Sequence, residues 1–117
     1  MSALSVDLPW PSHTLHPNAR VHWARKAKAT KAAKLAAGIA ARKAQVSRID
    51  AEALKVTAIF SPPDNRVRDI DGMLSSIKAY LDGISAVVGI DDSKFNIELC
   101  RGLPVKGGNV RLILEAL

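Results

Sequence analysis

The chain has one cysteine, five aromatic residues and no carboxylate between Asp7 and Asp50. Each scarcity excludes something. A lone Cys100 forms no internal disulfide, and within a stretch that reads as a strand it is a small buried apolar residue. Without a cysteine–histidine cluster there is no zinc site of the usual ligand type. No apolar run approaches the ~20 residues needed to cross a bilayer. The N-terminus has no basic segment leading into an apolar one, since Asp7 and two prolines interrupt it. These readings predict a soluble, cytoplasmic protein. Few aromatics and much alanine give a thin core for 117 residues. That predicts one domain, 1–117, with a homodimer interface completing the buried surface.

What is present is charge, unevenly placed. The net charge is +6, yet residues 1–49 hold nine Lys/Arg against one acid, and residues 50–117 hold eight against ten. A block this one-sided is the electrostatic footprint of a polyanion, most often nucleic acid. The plain alternative is a basic helix that faces solvent and binds nothing.

Periodicity orders the chain as β-α-β-α-β-β. "SALSVDL" alternates as a first strand, and "PWPSHTLHPN" is a loop because its prolines forbid regular structure. From about Asn18, a plausible N-cap, to Val46 the sequence is rich in Ala, Lys and Arg and favours helix. Its apolar stripe is Val21, Leu35, Ile39 and Val46. "LKVTAIF" (54–60) is a β-branched strand. Ile70, Met73, Leu74, Ile77, Leu81, Ile84 and Val88 then mark one amphipathic helix, which Gly89 stops. "KFNIELCR" and "NVRLILEAL" are closing strands, and "GLPVKGG" between them has hairpin turn chemistry. The predicted fold class is α/β (α+β): a mixed sheet with two helices, in a single domain. Trp10, Trp23, His13, His16 and His22 read as packing residues of the loop and helix start.

Five of the eleven acids fall within residues 68–92: Asp69, Asp71, Asp82, Asp91 and Asp92. One aspartate at a helix start is ordinary capping. Two flanking Ile70, with a further pair after the helix, exceed what capping requires. Carboxylates held together repel, and a divalent cation relieves this; oxygen-only donors suit Mg²⁺ or Mn²⁺. Asp71, Ser75, Lys78 and Asp82 form one polar stripe, so Lys78 points the same way as Asp71. Its unremarkable role is an i,i+4 pair with Asp82.

Together, "LPWP", "RDIDGML" with "IKAYLDGI", and "GIDDSKF" resemble the RusA-type Holliday-junction resolvases, a crossover junction endodeoxyribonuclease family common in prophages. The resemblance runs in order over nearly the whole chain. It implies a small homodimeric α/β protein of RusA-like fold that cleaves four-way DNA junctions with Mg²⁺. Carried over by motif, the metal-binding and catalytic aspartates are Asp69, Asp71 and Asp92. The commonest family pattern has asparagine after the second aspartate and lysine four residues after it, where this chain has Gly72 and Ser75. Lys78 keeps the family's spacing to Asp82 and is the expected catalytic lysine. The expected DNA-binding residues are Arg20, Arg25, Lys26, Lys28, Lys31, Lys34, Arg66 and Arg68. Other readings are a nuclease for different branched DNA, a relative that binds DNA without cleaving it, and a basic RNA-binding protein.

One distance stands out. A continuous helix over 70–88 is about 27 Å long at 1.5 Å per residue. It separates Asp69 and Asp71 from Asp92 unless it bends. With no proline to kink it, the sequence favours a site completed across a dimer, Asp92 coming from the second subunit.

Overall fold

Four stretches with alternating apolar residues and three helices fill the computed structural model, which describes residues 3–117. Strand β1 is Leu4–Leu8, helix α1 Trp23–Lys43, strand β2 Leu54–Ser61, helices α2 Ile70–Ser76 and α3 Lys78–Val88, and strands β3 Phe95–Arg101 and β4 Asn109–Ala116. Ser2, within the first strand predicted from sequence, lies outside the described residues. The architecture is the mixed α+β sheet expected, with a short 3-10 turn at His13–Leu15 and another at Asp92–Lys94.

The closing strands do not form the hairpin that "GLPVKGG" suggests. The sheet order is β1-β4-β2-β3, with β2 parallel to β3 and antiparallel to β4. The linker therefore crosses the end of β2: Gly102 N–H donates to the Phe60 carbonyl and Val105 N–H to the Pro62 carbonyl. Glycines 107 and 108, at φ +79 and +73, turn the chain on the far side. The glycines report a turn correctly, but which strand fills the gap is decided by side-chain burial. Val110, Leu112 and Leu114 of β4 are fully buried, matching Leu54, Val56, Ala58 and Phe60 of β2, while β3 is an edge with Ile97 39% exposed. The more apolar strand takes the centre.

Helix α1 starts later than predicted and packs on another face. His22, not Asn18, is its N-cap, its Nδ1 accepting the Ala24 amide at 3.2 Å. It ends at Lys43, with Gln45 in the left-handed region at φ +65. Its buried residues are Ala33, Ala37, Gly38 and Ala41, whereas Leu35 and Ile39 are 63% and 45% exposed. The reason is close approach. At Gly83 of α3, an added Cβ would lie well inside contact distance of the Lys34 carbonyl oxygen and 2.9 Å from Ala37 Cβ. Such a seam has room for small residues only, so size outweighs hydrophobicity in choosing the face.

The predicted single helix is two. Ile77, at φ −103 and ψ 6, ends α2 and precedes α3. Ser76 Oγ donates back to the Met73 carbonyl at 2.6 Å, and Ile77 N–H turns to Leu74 in 3-10 fashion at 3.2 Å. Side-chain bonds of this kind compete with the helical ladder and bend it. The apolar period survives the break because Met73, Ile77, Leu81 and Ile84 all remain buried.

Tyr80 fastens α3 to the chain after β1: its hydroxyl donates to the Pro9 carbonyl at 2.9 Å. Burial pushes the phenol above its ordinary value. Because the folded state favours the protonated phenol, this stabilisation is complete below pH 10 and is lost as pH rises through the folded value. Tyr80→Phe is expected to cost about 1 kcal/mol at neutral pH, having orphaned the Pro9 carbonyl. It should also lose less stability than wild type between pH 9 and pH 11. Urea unfolding at the three pH values measures both effects.

Candidate metal and nucleic-acid site

Lys78, the first residue of α3, meets the chain that follows the helix: its Nζ lies 3.3 Å from Asp92 Oδ2 and 3.9 Å from Asp82 Oδ1. The lysine and third aspartate of the motif therefore meet within one chain. The predicted helix is broken, yet Asp69 and Asp71 stand at the start of α2 and Lys78 and Asp92 beyond its end, so a site completed across a dimer stays an expectation.

The electrostatics follow from this crowding. Asp92, then Asp82, raise the Lys78 ammonium above its ordinary value. Burial raises the Asp82 carboxyl, the neighbouring Asp92 carboxylate adds to this, and Lys78 and Lys34 pull the other way. Lys34 is a residue of α1, so the basic helix runs beside this cluster. Asp91 instead caps the turn that follows, its carboxylate accepting from the Ser93 hydroxyl and amide, which hold it below the usual range.

Asp69 and Asp71 sit at the other end of α2. Asp69 is the N-cap, its Oδ1 accepting the Gly72 amide at 3.3 Å, and Asp71 is exposed in the first turn. Asp69 also lines a groove of about 690 Å³ between the 9–18 and 63–69 loops, with Trp10, His13, His16, Arg66 and Met73 among its walls. Sequence reasoning passed over the tryptophan and both histidines as packing. The signal was their closeness in "LPWPSHTLH", but nothing local says that this loop folds over the start of α2.

The predicted phosphate-binding residues divide in two. Arg25, Lys28, Lys31 and Lys34 are exposed, and Lys26 half-buried, along α1, whose buried face is alanine and glycine; Arg20, also exposed, precedes the helix. Arg66 is exposed and pairs with Asp64 at 3.1 Å. Arg68 is committed to the protein: it meets Asp64 at 3.0 Å, donates to the carbonyls of Asp64 and Arg66, and lies over the Trp10 ring at 5.3 Å. The Arg66 amide and guanidinium, with Arg68, hold the Asp64 carboxyl down at about 2. This ion-pair knot lies in the loop leading into Asp69.

Among the described residues no three His, Cys, Asp or Glu side chains converge into a ready metal cage. The donors that are present still fit Mg²⁺, which takes one or two carboxylates and completes its shell with water and phosphate oxygens. Asp69 and Asp71 offer hard oxygens and no competing soft ligand, and Asp92 carries another pair beside Lys78.

No family model matches the chain. It is similar to an uncharacterized protein of Xylella fastidiosa (strain Temecula1), 45% identical over 94 residues that make up 78% of this chain. The match covers 61% of that protein, so the chain spans less than two thirds of its relative's length. No helix in the described residues is long and apolar enough to cross a membrane.

Proposed function

We propose that this protein is a Mg²⁺-dependent endodeoxyribonuclease that cuts branched DNA, four-way junctions foremost, in DNA recombination and repair. The observation that carries the reading is the 3.3 Å pairing of Lys78 with Asp92. The motif resemblance selects these two residues from sequence, fourteen positions apart, and the fold brings them together.

In this reading Asp69 and Asp71 hold the ion, with Asp92 the third carboxylate of the set. When bound, Mg²⁺ supplies Lewis acidity and a water of lowered pKa. Water adds to phosphorus as the P–O3′ bond breaks, giving 5′-phosphate and 3′-hydroxyl ends that a ligase can seal. Lys78, 71% exposed at its side chain, stays cationic and in this reading neutralises charge gathering on the phosphoryl oxygens. The exposed basic face of α1 guides the backbone, and a two-fold dimer would place paired nicks on a two-fold junction.

The deciding experiment is cleavage of synthetic junction, flap and linear duplex DNA with and without Mg²⁺. Cutting of the junction alone, and only with Mg²⁺, supports the reading. Equal cutting of flaps moves it to a broader branched-DNA nuclease. Tight binding without cutting favours a DNA-binding relative, a reading kept alive by Gly72 and Ser75 at the departed motif positions.

Salt dependence tests the basic helix separately. Lys28→Ala and Lys31→Ala are each expected to weaken binding on every DNA sequence and reduce the slope of log K against log [salt] by about one. Unchanged slopes would turn this face away from DNA.

A further inference from the structure

Gly72 is the position at which the chain departs most plainly from its motif, and the space above it is not empty. A Cβ built there would lie 2.5 Å from Asp69 Oδ1 and 2.6 Å from His16 Nε2. The glycine is what admits the imidazole: any side chain at 72 would occupy the place that His16 takes. His16 reaches it from the loop over α2, just after the His13–Leu15 turn.

The ring is also fixed in orientation. Its Nδ1 accepts the Asn18 amide at 3.1 Å, so in the neutral imidazole the proton is on Nε2. His13 stacks beside it, with centroids 6.3 Å apart and planes 17° apart. Nε2 is thus an N–H donor turned into the groove next to Asp69, and among the described residues it has no hydrogen-bond partner. A donor cannot ligate a cation. The acceptor it can take is one that enters the groove from outside, where His16 and Asp69 stand side by side over the buried Gly72.

We propose that His16 contacts the substrate directly, donating Nε2–H to a phosphate oxygen of a DNA strand lying in the groove beside Asp69. This rests on the nuclease reading and adds to it the group that orients the strand at the carboxylates. Gly72 then serves by making room for the imidazole, and the polar contact comes from another loop.

The test compares wild type, His16→Ala and His16→Gln, the last keeping an N–H donor. Two readouts are made: affinity for a synthetic four-way junction in EDTA, and single-turnover cleavage in Mg²⁺. Thermal unfolding checks that each variant folds. His16→Ala is expected to bind about tenfold more weakly, as a lost hydrogen bond to a charged group implies, and to cleave more slowly still. His16→Gln should recover part of both. Wild-type binding and cleavage by His16→Ala, or no recovery by His16→Gln, overturns the proposal. If wild type binds without cleaving while His16→Ala binds more weakly, the contact stands and the nuclease reading fails. If wild type binds no DNA, both fail.

Discussion

Replacing Asp71 by asparagine is expected to lower junction cleavage about a thousandfold while leaving junction binding unchanged or tighter. Asp71 is exposed in the first turn of α2 and caps nothing, so the substitution removes a negative charge and, in the proposed function, an ion ligand without touching the core. A bound ion contributes several kcal/mol to the transition state, and each ~1.4 kcal/mol is tenfold in rate. Binding improves or holds because a carboxylate no longer faces the phosphates. Single-turnover cleavage and electrophoretic binding, made on one preparation, separate the two effects. Loss of binding alongside cleavage would give Asp71 a folding role instead.

The second large effect is structural. Gly83→Ala is expected to lower stability by about 2 kcal/mol, within the range of overpacked cores, and Tm by roughly 10 °C. On an exposed helix the same change would stabilise by up to about 1 kcal/mol through propensity, so the sign is diagnostic. Here the new methyl would meet the Lys34 carbonyl oxygen and Ala37 across the α1–α3 seam, and a backbone carbonyl cannot swing aside as a flexible side chain does. Since Lys34 also lies beside Asp82, displacing α1 should disturb the Lys78 cluster, visible as slower cleavage in the folded fraction. An unchanged or raised Tm would show that the helices can part cheaply.

How much of this was legible in the sequence varies by element. The strands were, because alternation at Val56, Ala58 and Phe60, or Val110, Leu112 and Leu114, reflects a buried face directly. The broken helix was not. Its apolar period runs through Ile77 unbroken, and the only local sign was Ser75-Ser76, two residues that bond readily to nearby carbonyls. The packing face of α1 was misread for a general reason: hydrophobicity scales rank Leu35 above Ala37, but a tight crossing selects for the absence of volume. Of the candidate site, Asp69, Asp71, Asp92 and Lys78 came from motif, and the Lys78–Asp92 contact joins two of them. His16 was invisible because its partner position is a glycine in another element, fifty-six residues on.

The place of β4 bears on how the chain is made. It follows the other three strands in the chain, yet it lies between β1 and β2, pairing with both. While the ribosome is still translating residues before 109, β1 has no neighbour, the inner edge of β2 is open, and apolar side chains that belong to the core have nothing to face. The sheet cannot assemble progressively from its N-terminal end; it closes in one late step, when the final strand slides into the gap. Non-local closure of this kind is slow and leaves unpaired edges in the meantime. Deleting residues 109–116 would therefore leave no trimmed version of the fold, only a chain with the centre of its sheet missing and a ready substrate for proteases.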